Sequence, residues 1–589
     1  MQPENLYRIP FVVGITGHRD PLPSQVPAIH AALVSLLQRL KDAHPDVRIQ
    51  VLCSMADGAD LLIAEVALEL GIEVLALLTF PEDVCRSDLL SDAARHAFDH
   101  VIQVAERLEL PVSPALASEL QQGSAMGPER DRQYQRAGLL LSRYCSLLIA
   151  IWDGKPTTHV AGSARVVEFR RHGSRQQGEG QLDVLLDSAD NDLLFEIHCA
   201  RASDPVAAAA QPPIAISGYS GEEVDATSGD VFEVPAVLRQ QLTRTAEFNR
   251  DSVELRAGIA AHAWPLVPIE EKSARSQLAQ LNQLFVQADY MGSLFRQRFL
   301  RGIRRRYLMW GGMATLLIAF EGTSLGIGGL LLVLSVLSVF LISLVHAGTA
   351  HRHSWHRKCL DYRALAETLR VDYFWEITGV RHRYAGEFAH ESFLQKQDVD
   401  LAWIRAAMRA ISLRLAMHPI APSHEGLAEA MKEWIGDQNA QSRSGQVHYY
   451  NARSRQLRQR VHRDERLDQV PVVVGTTLSV IFLIDIVASM AGYQVLPQIL
   501  RGVLLWTMAL ATAYGSIYEV YVTARGDRPL IRQYRHMFGL FGRASTLLKA
   551  ARTDDERLAV LRSLGHACLA EHAQWTLAQR DKAIEGLKW

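Results

Sequence analysis

The chain has 589 residues, enough for three or four domains of ordinary size. Its formal net charge of −2 excludes a global positive field for nucleic acid, and its six cysteines lack the CxxC spacing of zinc clusters and disulfide scaffolds. Apolar residues are concentrated in two blocks, 307–345 and 470–518. Residues 1–10 lack an apolar core, so we predict no signal peptide there.

The first informative stretch is a short apolar strand, predicted at residues 11–15, that leads into Gly17, His18 and Arg19. A glycine permits a tight turn and a close approach of ligand to the backbone. Histidine is a titratable donor, and arginine suits phosphate oxygens. We therefore place this turn on one wall of a nucleotide pocket, although an ordinary turn with a surface arginine would explain it equally well.

A second strand is predicted at residues 47–53, followed by Ser54, Asp57, Gly58 and Asp60 at the start of a helix. The N-terminus of a helix presents free N–H groups and the positive end of its dipole, which together favour anions. Asp60 is interpreted as a helix cap. Asp57 is either a cap or an acceptor for ribose hydroxyls.

A third strand, predicted at residues 73–78, leads to Thr79 and Pro81. A short strand is predicted at 101–104, and Arg132 lies in the first turn of an amphipathic helix. We add Thr79, Pro81 and Arg132 to the predicted pocket.

A fifth strand, residues 147–152, leads to Asp153 and Gly154, and the small residues Gly162, Ser163 and Ala164 open the following helix. Because the carboxyl ends of parallel strands share one edge of a sheet, these turns are expected to converge on one crevice. The GxGxxG fingerprint is absent from this region, which disfavours a conventional NAD-binding half.

Four motifs carry a resemblance to a known family: Gly-Ile-Thr-Gly-His-Arg at 14–19, Met-Ala-Asp-Gly-Ala-Asp at 55–60, Leu-Ile-Ala-Ile-Trp-Asp-Gly at 148–154 and Gly-Ser-Ala at 162–164. Through them, residues 8–202 resemble the SLOG superfamily, which includes Smf/DprA and LOG proteins and the cytosolic region of melastatin-type TRP channels. The resemblance implies a Rossmann-like, doubly wound parallel sheet that binds a nucleotide or a nucleotide-derived ligand.

The hydrolytic pattern of LOG proteins, Pro-Gly-Gly-x-Gly-Thr-x-x-Glu, does not occur in the chain. Glu168 lies five positions after Ser163 and is interpreted as a solvated helix residue rather than a catalytic glutamate. We therefore expect binding without turnover.

The apolar blocks predict an all-α membrane domain, because a membrane span needs about 20 residues and each block fits two spans joined by a polar turn. Basic residues flank the outer ends of both pairs, which predicts that both termini and the middle segment are cytosolic. The arginine-rich stretch 296–306 is interpreted as a membrane flank, with nucleic acid binding as the alternative. The four predicted transmembrane helices lie near residues 307–322, 326–346, 470–491 and 499–518.

Asp485 is the carboxylate predicted near the middle of the membrane, where it would either line a pore or pair with a neighbouring helix, whereas Glu321 lies at the end of a predicted span. A run of possible metal ligands lies at the edge of the second span, but its basic neighbours oppose a cation. We predict that this run snorkels at the membrane edge, and we predict no metal and no cofactor. The run comprises His346, His351, His353, His356 and Cys359.

The sequence Asp-Tyr-Arg-Ala-Leu-Ala-Glu-Thr-Leu-Arg at 361–370, with the paired spans, makes residues 270–580 similar to the SLATT family. That resemblance implies a pore-forming effector of prokaryotic conflict systems that responds to a nucleotide signal. The predicted division is a sensor at 1–202, a linker and helical connector at 203–270, and a membrane domain at 271–589, whose cytosolic helices fall within 347–469 and 525–589.

Both resemblances together predict a nucleotide-gated, homo-oligomeric membrane effector of antiviral (abortive infection) defence in a bacterial inner membrane. Its expected partners are a nucleotide-derived small molecule, membrane lipid and further copies of the chain, without direct contact to nucleic acid. Two alternatives remain open: a membrane-anchored hydrolase that cleaves the N-glycosidic bond of a nucleotide in the same pocket, and a non-conducting membrane scaffold.

Overall fold

The computed structural model contains two compact units, each assembled from separate stretches of the chain. The sheet unit comprises Met1–Ala288, Ala364–Pro422 and Gly565–Gln574, and the helical unit comprises Asp289–Arg363, Ser423–Leu564 and Trp575–Trp589. The predicted boundaries at 202 and 270 stay a prediction. The structure describes residues 6–121, 127–157, 159–172, 193–210, 212–219, 223–224, 235–262, 264–266, 277–321, 326–383, 401–417, 421–436, 445–493 and 495–585.

The sheet unit is built on a mostly parallel sheet with the strand order β4-β3-β2-β1-β5-β6-β7-β8. Strands β1 to β6 are parallel to their neighbours, and β7 and β8 are added antiparallel at one edge. The strands are β1 (Phe11–Gly17), β2 (Ile49–Cys53), β3 (Glu73–Leu78), β4 (Glu106–Glu109), β5 (Leu147–Trp152), β6 (Leu193–His198), β7 (Ala215–Tyr219) and β8 (Glu223–Val224).

The helices of the described residues follow the strands in the sheet unit and dominate the helical unit. Those up to residue 262 are α1 (Val26–Ala43), α2 (Ala59–Glu69), α3 (Glu82–Ser87), α4 (Asp92–Val104), α5 (Pro114–Gln121), α6 (Pro128–Tyr144), α7 (Ser163–His172), α8 (Pro205–Ala210), α9 (Ala236–Glu254) and α10 (Arg256–His262). The later ones are α11 (Gln277–Glu321), α12 (Ile327–Arg352), α13 (Trp355–Thr378), α14 (Val380–Arg383), α15 (Ala402–Met417), α16 (His424–Glu429), α17 (Gln446–Met490), α18 (Gln498–Arg525), α19 (Asp527–Ala550) and α20 (Asp554–Glu585).

Helices cover both faces of the sheet, which explains why its central strands are apolar without alternation. Phe11, Val13 and Ile15 of β1 face a core shared with α1, α2, α4 and α9. Val12 faces the opposite core, shared with α6, α7 and α15. The predicted parallel α/β sheet is therefore confirmed, and α15 shows that a segment far along the chain completes one of its faces.

One predicted strand is wrong, because residues 101–104 form the last turn of α4. Ser91 caps this helix by accepting a hydrogen bond from the Ala94 N–H at 3.0 Å, and Phe98 and Val101 are buried along one helical face. The actual edge strand is β4, in which only Leu108 is buried. An edge strand with one apolar residue in four gives almost no periodic signal.

The chain order places a topological switch point between β1 and β5. From β1 the chain proceeds through β2, β3 and β4 on one side, and then returns to β5 on the other side of β1. Connections leave β1 and β5 in opposite directions, which opens a crevice at their carboxyl ends. The predicted polar turns after β1, β2, β3 and β5 all lie on this edge.

Three helices of the described residues are long and apolar enough to cross a membrane. They are Ile327–His346 and apolar stretches within Gln446–Met490 and Gln498–Ala550, and they match three of the four predicted spans. The span predicted near 307–322 falls in the last part of α11 and is not among them. Only 15 of its residues (307–321) are described, fewer than the roughly 20 that a span needs. The turn predicted after it, and much of the predicted linker, lie outside the described residues.

Two glycines with a positive φ, Gly58 before α2 and Gly71 after it, allow the close backbone approach at the start of α2 to be tested by mutation. Gly58 (φ +78°) has the Arg19 carbonyl oxygen 2.3 Å from where a Cβ would stand, whereas Gly71 (φ +64°) has only the Lys41 ammonium group at 3.8 Å. Gly71→Ala should lower the free energy of unfolding by roughly 1–2 kcal/mol through strain alone.

Gly58→Ala should cost roughly 1–3 kcal/mol more, because the backbone of the preceding loop must move away. Denaturant unfolding of the purified full-length chain measures both. Equal losses for the two variants would contradict the close approach.

Candidate functional site

The first two predicted motifs are in direct contact. A Cβ on Gly17 would stand 2.3 Å from the Cβ of Ala59, so only glycine fits where β1 ends against the start of α2. The Ala59 N–H donates to the His18 carbonyl oxygen at 3.1 Å. The loop after β1 thus packs directly against the N-terminus of α2. This contact fixes the position of the Arg19 backbone, and with it the point from which the Arg19 side chain extends.

A shallow cleft open to solvent lies beside Arg19, where β1, β2 and β3 end, with a cavity volume of about 20 Å³. It brings together four of the predicted residues, Arg19, Ser54, Asp57 and Thr79, with side chains that sequence reasoning had not selected. The additional lining residues are Met55, Ala56, Phe80, Cys85, Asp88, Leu89 and Tyr134.

Arg19 and Tyr134 form the functional wall of this cleft. The guanidinium carbon lies 5.3 Å from the centre of the Tyr134 ring, in cation–π geometry. Burial alone would lower the pKa of Arg19, but Tyr134, Asp88 and Asp60 outweigh it and raise that pKa above its usual value. Arg19 therefore presents a permanent positive charge next to an aromatic face.

A second, paired arginine contacts two lining residues of the cleft, Asp88 and Phe80. Arg130 is buried, forms an ion pair with Asp88 and lies over the Phe80 ring, with its guanidinium carbon 4.4 Å from the ring centre. The Tyr134 hydroxyl donates to the same Asp88 carboxylate at 3.3 Å. Asp88 thus positions Tyr134 and neutralises Arg130.

Asp60 is not the helix cap that the sequence suggested. Its carboxylate is buried and accepts a hydrogen bond from the Ser54 hydroxyl. Burial raises the pKa of the Asp60 carboxyl from 3.8 to about 6. It is therefore a carboxyl group that can gain a proton near neutral pH, directly beneath the loop that carries Arg19.

Asp57 does not cap α2, whose N-cap residue is Gly58 and has no side-chain cap, but its carboxylate bonds two nearby amides. One of its carboxylate oxygens accepts from the Gly58 N–H at 2.8 Å, and the other accepts from the Leu90 N–H at 3.1 Å. Two amides at the start of α2 are consequently taken by the protein itself, Gly58 by Asp57 and Ala59 by His18. Among the described lining residues of this cleft, Arg19 is the one cationic side chain.

A second group of predicted residues lies at the switch point between β1 and β5. The His18 Nε2 atom lies 3.1 Å from an Asp153 carboxylate oxygen and 3.1 Å from the Asp153 backbone nitrogen. Burial alone would raise the pKa of Asp153, but hydrogen bonds from His18 and from the Lys155 N–H outweigh it and hold that pKa below its usual range. Gly154 has φ +74° and approaches the His198 ring, which makes His198 a neighbour of this group.

The small-residue loop begins α7 on the same edge of the sheet. Gly162 has φ +105° and open space where a Cβ would stand, Ser163 is buried and Ala164 packs against the core. Glu168 is exposed on α7 and forms an ion pair with Arg165, as expected for a solvated helix residue.

Two predicted residues take other positions. The Arg132 side chain is 68% exposed, is paired with Glu129 and does not line the cleft. Residues two positions apart in a helix point to nearly opposite sides, whereas residues four positions apart share a side. Arg130 and Tyr134 therefore both face inward, and Arg132 between them faces outward. The four-residue spacing of Arg130 and Tyr134 was the sequence signal that could have identified them as residues on the same inward side of the helix. Pro81 precedes the first turn of α3 and accepts the Cys85 N–H through its carbonyl oxygen.

In the helical unit, Asp485 is buried and paired with a neighbouring helix. The Arg501 Nε atom lies 2.6 Å from one carboxylate oxygen of Asp485, and the Leu496 N–H donates to the other at 3.1 Å. Arg501 belongs to α18, so the pair joins the two helices of the second predicted hairpin. The pore-lining role of Asp485 stays a prediction.

The chain was compared with family models, curated proteins and solved structures. No family model, no curated protein and no solved structure matches the chain. Among the described residues, no group of three or more His, Cys, Asp or Glu side chains is arranged to hold a metal ion. The chemistry of the site therefore follows from its own residues.

The raised pKa of Asp60 predicts an unusual dependence of stability on pH. The folded chain holds this proton more tightly than the unfolded chain, so stability falls as pH rises from about 4 to about 6. Asp60→Asn keeps an acceptor for Ser54 and removes the charge, and should stabilise the protein by up to roughly 3 kcal/mol at about pH 8.

Thermal melting of Asp60→Asn at several pH values measures this difference. Asp83→Asn, an exposed carboxylate on α3, controls for the loss of one charge. A gain that stays constant across the pH range would contradict the assignment.

The ion pair between Asp485 and Arg501 predicts that replacing only one of the two residues destabilises the hairpin. Asp485→Asn leaves a guanidinium without its carboxylate, at a cost of up to about 3 kcal/mol after allowing for its partial exposure. The double variant Asp485→Leu/Arg501→Met should recover most of the loss, since it removes both charges. Membrane yield and the melting temperature in detergent report the outcome, and a double variant as unstable as Asp485→Asn would argue against the pairing.

Proposed function

We propose that the chain is a nucleotide-gated membrane effector, in which the cleft of the sheet unit binds a nucleotide-derived messenger and an oligomeric membrane pore responds. The observation that carries this proposal is the Arg19–Tyr134 wall at the carboxyl ends of the strands, in a chain that also has three helices able to cross a membrane. Cells with such an effector would undergo membrane leakage on receiving the signal, as in abortive antiviral defence at a bacterial inner membrane.

The chemistry of the cleft fits a nucleotide-derived ligand. An arginine matches phosphate oxygens, and a tyrosine ring offers a face on which a base can stack. Asp57 and Ser54 are acceptors within reach of the same space. The sheet order and the covering helices are consistent with a Rossmann-like domain, and the motifs at residues 14–19, 55–60 and 148–154 resemble the SLOG superfamily.

The helical unit supports a membrane role with four spans. The Thr315 hydroxyl lies 2.9 Å from the Tyr514 hydroxyl, so the last part of α11 packs along α18, itself a candidate span. Leu308 and Leu317 of α11 are 65% and 52% exposed, as expected for a lipid-facing helix. Four spans enclose no water-filled path of useful width, so a pore requires several copies of the chain, as the resemblance to the SLATT family also implies.

Ligand binding can open such a pore only if the open state binds the ligand more tightly than the closed state. Arg19 is suited to this role because its loop contacts two elements, the start of α2 through the Ala59 N–H and the end of β5 through the Ile151 carbonyl oxygen, both bonded to the His18 backbone. A coupling of about 3 kcal/mol would change the open population by roughly two orders of magnitude.

A second candidate function, hydrolysis of the N-glycosidic bond of the ligand, is favoured by one observation. His18 and Asp153 are in contact at the switch point, and a histidine held by a carboxylate is a general base. Incubation with the bound nucleotide and chromatography of the products separates the two functions. Intact ligand supports binding alone, whereas a product that is lost in Asp153→Asn supports the hydrolase.

The main test compares Arg19, which lines the cleft, with Arg132, an exposed arginine of α6 that does not line it. Arg19→Ala should weaken ligand binding at least 10-fold, the loss of about 1.4 kcal/mol or more expected for a charged hydrogen bond, and should abolish pore opening. Arg132→Ala removes a paired surface arginine and should leave both unchanged. Membrane insertion should be normal in both variants.

Binding is measured by calorimetry with cyclic nucleotides, oligonucleotides and ADP-ribose derivatives. Opening is measured by dye release from proteoliposomes that contain the full-length chain. Retained affinity in Arg19→Ala would refute the binding site, and the absence of release with a ligand that demonstrably binds would refute the pore and favour the scaffold.

A further inference from the structure

Helix α11 carries a basic face that the proposed function does not use. Arg301, Arg304 and Arg305 are exposed, while Ile303 and Tyr307 on the other side of the helix are 6% and 8% exposed. Within the described residues, Arg304 and Arg305 have no acidic partner, and Arg301 has only a 3.5 Å contact with the Gln297 side chain. We call these three residues the arginine face.

Contacts inside the helical unit fix the level of the arginine face along the membrane helices. A Cβ on Gly302 would stand 3.7 Å from the Trp355 ring and 4.0 Å from the His346 Nε2 atom. His346 is the last residue of the candidate span Ile327–His346. The arginine face therefore lies level with the end of a span, where hydrocarbon gives way to headgroups.

Aromatic residues mark the same boundary one turn further along α11. The Tyr307 ring lies 5.2 Å from Trp310 and 5.7 Å from Tyr521 of α18, measured between ring centres. Arg306 lies over both Tyr307 and Trp310 at 5.5 and 5.9 Å. Tyrosine and tryptophan are concentrated at membrane–water interfaces, because their rings are apolar and their edges polar.

The exposed side of α11 changes from basic to apolar within one helical turn. Leu308 follows Arg304 and Arg305 by four and three positions, so it continues the same face of the helix, and it is 65% exposed. A surface that is cationic up to one level and apolar beyond it matches the charge and polarity profile of a leaflet rich in anionic lipid.

We propose that the arginine face is a binding surface for anionic phospholipid headgroups. A guanidinium donates two parallel hydrogen bonds to a phosphate diester, which a zwitterionic headgroup also carries but without net charge. Each arginine near an anionic surface contributes about a factor of 5 in affinity, so three contribute roughly 100-fold. This surface is independent of the nucleotide cleft and of any pore.

The test uses the full-length protein in detergent and two short-chain lipids, phosphatidylglycerol and phosphatidylcholine. Thermophoresis should show a strong preference of the wild type for phosphatidylglycerol that weakens with salt. The variant R301Q/R304Q/R305Q should lose roughly 100-fold in that preference. The variant R301K/R304K/R305K keeps the charge and should retain most of it, which separates the loss of charge from misfolding.

A matched control removes the same charge from the sheet unit. Arg8, Arg136 and Arg256 are exposed there, and R8Q/R136Q/R256Q should bind phosphatidylglycerol as the wild type does. Equal binding of the two lipids by the wild type would overturn the proposal, and so would an unchanged preference in R301Q/R304Q/R305Q. Tighter binding of a duplex oligonucleotide than of phosphatidylglycerol through these arginines would replace lipid with nucleic acid as the partner.

Discussion

The candidate site depends on the close approach of two backbone segments, the end of β1 and the start of α2. Gly17 and Gly58 leave no room for a side chain at this contact, and the Ala59 amide completes it by donating to His18. Steric exclusion of this kind acts over tenths of an ångström, which is more precise than any salt bridge between flexible side chains. The direction in which Arg19 leaves the backbone, and with it the shape of the cleft, follows from that contact.

Electrostatics then divides the site into two halves. On one side, Asp88 accepts from Arg130 and Tyr134, which leaves Arg19 as the cation that faces the open space. On the other, Asp153 is kept ionised by His18 at the switch point between β1 and β5. The Arg19 cation and the Asp153 carboxylate are thus stabilised separately, each by its own partners.

Sequence patterns predicted the strands of the buried sheet well, because a strand covered on both faces must be apolar along its length. The same rule fails at the edge, where β4 buries only Leu108, and a helix was therefore mistaken for a strand. The turns after β1, β2 and β5 were identified from glycine and charged residues that the backbone requires there. Asp88 was missed because its role comes from contacts with Arg130 and Tyr134 on α6, which no local pattern records, whereas Tyr134 was missed although its four-residue spacing from Arg130 was visible. Arg132 was chosen over Arg130 because the side of a helix on which a charged residue lies cannot be read from the sequence until the helical phase is known.

The carboxylate of Asp57 sets a minimum binding energy that an anion would have to supply to displace it from the Gly58 N–H. It is attached to the chain one residue before the amide that it satisfies, so its effective concentration there exceeds that of any dissolved anion by a wide margin. Binding of a phosphate to the Gly58 N–H would thus exchange one acceptor for another, with little net gain in hydrogen bonds. Abundant simple phosphates compete poorly in such an exchange. For the proposed nucleotide-derived ligand, the binding energy would therefore have to come from the rest of its structure, and selectivity against the cell's common phosphates would follow from an occupied amide rather than from a shaped wall.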